Sequence, residues 1–196
     1  MKTIGLTGSI GMGKTTTAGL LADEGCPVFD ADAAVGRLYG VGGGAVEPIR
    51  RAFPGAIKSG AVDRDRLSDL LQADPSRFEA LEKIVHPLVA EARARFVETA
   101  RQAGAGFVVF DIPLLFETGM DAEVDHVMVV SAPYAVQRER VLARPGMNED
   151  KFKAILARQM PDSEKRARAD IVIDSSRGIE AARDQVRAAL KEWTGP

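Results

Sequence analysis

Three short apolar runs, at 107–111, 127–130 and 171–174, have the length and density of strands buried on both faces. A partly β-branched run at 2–7 ends in glycine and reads as a further buried strand, and Val28 and Phe29 form a shorter one. Residues 14–24 follow a helical pattern, with Ala18, Leu20, Leu21 and Ala22 as apolar positions and Gly25 as the stop. Residues 178–193 read as a closing amphipathic helix. Strand, loop, helix and strand in this order predict an α/β fold with a parallel sheet covered by helices.

Two stretches do not fit the strand pattern. Region 33–103 has no convincing strand run and several helical ones. Gly42-Gly43-Gly44 reads as a flexible loop, 63–72 as a short helix, and Asp74-Pro75 as the cap and first residue of another. His86-Pro87 is expected to interrupt that helix, because proline lacks an N–H and disfavours helix at the residue before it. Region 133–169, between two sheet strands, is charged and helical. The expected organisation is a core of 1–32, 104–132 and 170–196, a helical insertion of 33–103 and a lid of 133–169.

The turn after the first strand changes the picture from architecture to chemistry. Gly8-Ser9-Ile10-Gly11-Met12-Gly13-Lys14-Thr15 is a complete G-x-x-x-x-G-K-[ST] pattern. Its glycines allow a tight backbone that turns N–H groups inward, and the next helix presents its positive end to a phosphate chain. Lys14 would reach the β- and γ-phosphates and the Thr15 hydroxyl would hold Mg2+. The strand before and helix after supply the required context. A glycine-rich turn matching by chance is the plain alternative. The motif alone does not separate kinases from GTPases or ATPases.

Acidic residues stand where such a site needs them. Asp30 and Asp32 end the second strand, so either could orient or deprotonate an acceptor hydroxyl, or cap the next helix. Asp111 ends an apolar strand, the usual address of a carboxylate that helps hold Mg2+, although plain turns use aspartate there too. Arg138, Arg140, Arg144, Arg158, Lys165, Arg166 and Arg168 gather in one segment, with Arg140 and Arg144 on a shared helix face. They suit a mobile lid over a transferred phosphoryl group, or else a solvated face.

Composition restricts the partners. The 196 residues carry 26 Lys and Arg against 28 Asp and Glu, a net charge of −2. No bulk charge favours nucleic acid or anionic membranes, so an anionic ligand must be held locally. Cys26 is the only cysteine, which excludes an internal disulfide and leaves a small packed hydrophobe as the expected role. No apolar run reaches the roughly 20 residues of a membrane span. With no leader pattern at its start, the chain is expected in the cytoplasm.

Taken together these residues resemble the dephospho-CoA kinase family. The resemblance runs through the 4–15 segment, Val28-Phe29-Asp30-Ala31-Asp32, Gly60-Ala61-Val62-Asp63-Arg64, Leu81-Glu82-Lys83-Ile84-Val85-His86-Pro87 and Asp111-Ile112-Pro113-Leu114-Leu115-Phe116-Glu117. It continues through Gln137, Arg140, Arg144, 155–159, Lys165 and 169–174. It implies a three-layer P-loop NTPase-type core with a helical substrate-binding insertion and a helical lid. It implies ATP and Mg2+, and phosphorylation of the ribose 3'-hydroxyl of dephospho-CoA in the last step of coenzyme A synthesis. Asp32 is then the expected base, and Lys14 and Arg140 complete the catalytic set. Residues 8–16, among them Thr16, bind the nucleotide with Arg144 and Ser175. Arg64, His86, Leu114 and Glu117 line the acceptor site with Asp32. Thr15 and Asp111 hold the metal. Ser175 stands where the family commonly has asparagine, which alters the adenine contact. A nucleoside or nucleoside-monophosphate kinase shares this core. A GTPase-like switch is disfavoured by the lack of an Asn-Lys-x-Asp motif. The state is expected to be a monomer or small homo-oligomer.

Overall fold

A computed structural model describes residues 1–195. The chain opens with β1 (Lys2–Thr7), α1 (Lys14–Asp23) and β2 (Val28–Asp30). A mainly helical stretch follows: α2 (Ala31–Tyr39), α3 (Val46–Ala52), β3 (Ile57–Lys58), β4 (Ala61–Val62), α4 (Arg64–Ala73) and α5 (Phe78–Gln102). Strands return as β5 (Phe107–Asp111) and β6 (His126–Ser131), then come α6 (Tyr134–Leu142), α7 (Glu149–Leu156) and α8 (Asp162–Ala167). β7 (Ile171–Asp174) and α9 (Ile179–Thr194) close the chain. Two compact units result, one of 1–29 with 100 onward and one of 30–99.

In the first unit the sheet order is β2-β5-β1-β6-β7. β1 runs parallel to β5, with Leu6 opposite Asp111, and parallel to β6, with Leu6 opposite Met128. β7 is parallel to β6. The α/β class and the parallel sheet are thus as the periodicity predicts. Ile4, Leu6, Val109, Met128, Val130 and Ile173 form one face of the sheet, packed with Leu20 and Leu21 of α1 and with Ala182, Val186, Ala189 and Trp193 of α9. The α9 residues recur every three or four positions, so one stripe of that helix enters the core. Cys26 joins this cluster as a small hydrophobe. Burial, with the Glu24 carboxylate second, pushes its thiol up to about 11. One strand departs from expectation. β7 lies at the sheet edge, and its Val172 is 38% exposed rather than buried on both faces.

The second unit is organised around Tyr39, Val46, Ile49, Phe53, Val62, Leu67 and Leu71. Asp63 caps α4, accepting from the Arg66 N–H at 3.1 Å, and Asp74 with Pro75 opens a single 3-10 turn before α5. Three details differ from the sequence reading. First, β3 and β4 form a small antiparallel hairpin, turned at Ser59 and Gly60, both at positive φ. Two-residue strands are too short to show a period. Second, the glycines at 42–44 make a tight turn and not a flexible loop. The Gly43 N–H donates to Gly40 O and the Ala45 N–H to Leu38 O. A Cβ on Gly43 would stand 2.2 Å from the Leu38 carbonyl oxygen. Third, α5 runs unbroken through Pro87. Leu81, Ile84, Val85 and Leu88 lie on either side of the proline and pack against the same core. That apolar stripe carries the helix across one missing hydrogen bond.

If packing holds α5 together at Pro87, replacing the proline should relieve a cost and leave the stripe intact. Pro87→Ala is expected to raise stability by about 1–3 kcal/mol, seen as a higher midpoint in chemical denaturation. A lower midpoint would mean that the ring itself contributes packing.

Candidate active site

The loop between β1 and α1 is shaped by glycines that nothing else could replace. A Cβ at Gly8 would lie 2.7 Å from the Val130 carbonyl oxygen. Gly11 has φ +78, and its Cβ would come within 2.5 Å of Val141. Gly13 caps α1 from the left-handed region, φ +93, where an L side chain is strained. No side chain caps this helix, so its first amides and its positive end are left for a ligand. A cleft of about 370 Å³ opens here, lined by the loop together with Lys14, Thr15, Thr16, Arg144 and Gln159. Thr15 and Thr16 are exposed, with Thr17 turned into the core. Amides, an ammonium and a hydroxyl make a donor set suited to a phosphate chain and its cation.

Lys14 is held ready by Asp111, to which its Nζ donates in an ion pair. Asp111 ends β5 beside the end of β1, fixed by the pairing of Leu6 with Asp111 and by the Ile112 N–H donating to Leu6 O. Both charged groups therefore stand beyond the carboxyl ends of adjacent parallel strands, where ligands collect in open α/β sheets.

On the other side of the loop, Ser175 follows β7 directly. Its hydroxyl donates to the Met12 carbonyl at 2.6 Å and accepts from Arg140 at 2.8 Å. Arg140 also donates to the Ser175 carbonyl at 2.8 Å. A second cleft of about 330 Å³ is lined by Gly13, Thr16, Arg140, Arg144, Ser175 and Ile179, among others. Arg144 borders both clefts. The Ser175 hydroxyl is thus spent on the loop and on Arg140.

The structure also shows residues that sequence reasoning did not place in the site. Gln159 accepts from the Ile10 N–H at 3.1 Å, and Gln137 donates to the Ile10 carbonyl at 2.8 Å. Gln137 is buried one turn before buried Val141 on α6, so a polar residue at an apolar position was the available signal. Gln159 lies outside any helix and carries no such mark. Lys165 is fully buried and donates to Glu117 at 2.8 and 3.2 Å. Glu117, expected among the acceptor-lining residues, thus spends its carboxylate on Lys165 and on the Met160 N–H, at 2.7 Å. Burial works to raise the Glu117 carboxyl, but these bonds outweigh it and hold it below the usual carboxylate range. Leu114 is exposed nearby in the chain.

Asp32, Arg64 and His86 belong to the second unit. Asp30 supplies the cap of α2, accepting from the Ala33 N–H at 2.8 Å, which leaves Asp32 exposed in the first turn and free of that task. Arg64 begins α4, lies over the Tyr39 ring at 5.6 Å and comes close to Gly36, one turn after Asp32 on the same face of α2. Burial raises the Tyr39 hydroxyl, and Arg64 partly offsets it. His86 is exposed on α5. Among the described residues, no helix is long and apolar enough to cross a membrane.

The dephospho-CoA kinase family model matches residues 2–181. The chain belongs to the dephospho-CoA kinase family. A dephospho-CoA kinase of Agrobacterium fabrum is 57% identical over 192 residues, covering 98% of each chain. A solved structure from Thermus thermophilus superposes with a TM-score of 0.83 at 38% identity, covering 99% of this chain and 98% of that one. The dephospho-CoA kinase of Campylobacter jejuni shares the fold at a TM-score of 0.66 and 20% identity, over 97% and 96% of the two chains.

The ion pair joins fully buried Lys165 to the partly accessible carboxylate of Glu117. Because folding depresses the Glu117 pKa, its contribution to stability is present above the unfolded value near about 4.3 and is lost as pH falls through the folded value. Glu117→Gln leaves Lys165 buried without a carboxylate and should cost of the order of 3 kcal/mol at pH 7. Denaturation curves of both proteins at pH 7 and at pH 3 should show the gap narrowing in acid. A gap independent of pH would remove the ion pair as its cause.

Proposed function

We propose that this chain transfers the γ-phosphoryl group of ATP to the ribose 3'-hydroxyl of dephospho-CoA, giving coenzyme A and ADP. The observation that carries the reading is the match to the family across residues 2–181, in a chain whose phosphate loop is complete and open to a cleft. ATP is the co-substrate and Mg2+ its cation. Thr15 and Asp111 are the residues that would hold the cation, which would supply neutralisation of phosphate charge when bound.

The remaining steps fall to the chain's own groups. Loop amides of residues 8–13, with Lys14 and Thr16, position the phosphates. Lys14 exchanges Asp111 for phosphate oxygens when the nucleotide arrives. Asp32 takes the proton of the 3'-hydroxyl as its oxygen attacks phosphorus and ADP leaves. Arg140 and Arg144 place positive charge where negative charge gathers during transfer, and the 133–169 segment acts as a lid that excludes water. Ser175 borders the adenosine side. Arg64, His86 and Leu114 are proposed to receive the acceptor. The domain division proposed with it assigns 1–32, 104–132 and 170–196 to the nucleotide and 33–103 to the acceptor, whereas the compact units part between 29 and 30 and between 99 and 100. The state proposed is a monomer or small homo-oligomer. A cytoplasmic site of action accompanies this reading.

Incubation with ATP, Mg2+ and dephospho-CoA should add one phosphoryl group to the acceptor, detected by mass spectrometry. Lys14→Ala should lower turnover by about a thousandfold or more while leaving the fold intact, since Lys14 is only partly buried. Unchanged turnover in that variant would refute the loop assignment. Phosphorylation of nucleosides or nucleoside monophosphates in place of dephospho-CoA would move the acceptor assignment.

A further inference from the structure

Lys165 is 0% exposed, so its ammonium can be tolerated only if a carboxylate meets it. Glu117 does so with both oxygens, at 2.8 and 3.2 Å. The same Oε1 that takes the shorter of these bonds also accepts the Met160 N–H at 2.7 Å. Lys165 therefore fixes Glu117, and Glu117 fixes the peptide immediately after Gln159. The Gln159 side chain reaches the phosphate loop and accepts the Ile10 N–H at 3.1 Å. Gln137 donates to the Ile10 carbonyl at 2.8 Å. The Ile10 backbone is thus held at both its N–H and its carbonyl, between Gly8 and Gly13.

A glutamine has three side-chain torsions, and a bond made from a freely moving backbone would cost the ordering of all of them. Clamping the Met160 amide fixes the backbone from which that side chain springs, so only its own torsions are left to be ordered when the Ile10 bond forms. We infer that Glu117 is a positioning residue for the nucleotide side of the reaction: held by Lys165, it sets Gln159 against Ile10 and thereby the shape of the phosphate loop. It is not an acceptor contact. This rests on the nucleotide site proposed above.

Glu117→Leu combined with Lys165→Met removes the carboxylate without leaving a charge buried. This paired variant, Gln159→Leu and the triple variant are compared with the unaltered chain. The readouts are Mg·ATP affinity by titration calorimetry and KM for each substrate. The unaltered chain should bind Mg·ATP. The paired variant and Gln159→Leu should each bind it about fivefold to tenfold more weakly, with KM for dephospho-CoA unchanged. The triple variant should be no weaker than either, since all act through one bond. Glu117→Asp, which keeps the charge but shortens the reach to Met160, should give the same ATP-side defect should the paired variant not fold. A folded paired variant, or a folded Glu117→Asp, with unaltered ATP affinity would overturn the inference. So would losses that multiply in the triple variant, or a rise confined to KM for dephospho-CoA. Failure of the unaltered chain to bind Mg·ATP would instead remove the nucleotide site, and this inference with it.

Discussion

The parallel pairing of β1 with β5 and β6 is the constraint on which the nucleotide side depends. It places three strand ends at one edge of the sheet. From β1 comes the loop, from β5 the carboxylate that steadies Lys14, and β6 supplies the Val130 carbonyl against which Gly8 packs. Slip either register by one residue and the side chains that face α1 and α9 would turn away from them, so the apolar core on that face also fixes the chemistry at the strand ends.

Around that edge the loop is built by contact rather than by its own rigidity. Glycines allow close approach at positions 8, 11 and 13, and the approaching groups are themselves parts of the site: Val141 on the helix that carries Arg140, and Ser175 after the last strand. The 2.6 Å bond from Ser175 to the Met12 carbonyl ties the end of β7 to the loop. The serine has a local structural meaning: a short hydroxyl fits against the loop while serving Arg140 at the same time.

Much of this was legible in the sequence because it depends on period and on backbone special cases. Continuous apolar runs gave the strands, and Lys14 with Thr15 in register gave the phosphate site. What escaped was whatever depends on tertiary contact. Pro87 ends a helix by local rules, yet the Leu81 to Leu88 stripe overrides them. Val172 is apolar like its neighbours, and only its edge position exposes it. Lys165 sits in a charged helix and resembles a solvated residue until the fold encloses it. Gln159 owes its role to a partner 149 residues away, which no local pattern can announce. Spacing alone leaves both capping and chemistry open to Asp30 and Asp32, and the Ala33 bond gives the cap to Asp30.

Cys26 gives the chain a property unrelated to catalysis. Its thiol is shut inside the same cluster that joins the sheet to α1 and α9, with its acidity suppressed to about 11. Since the thiolate is the reactive form, reagents in neutral water meet almost none of it while the core is closed. The lone thiol is therefore a built-in clock for core opening: its rate of alkylation reports how often the first unit comes apart, without a label or an introduced residue.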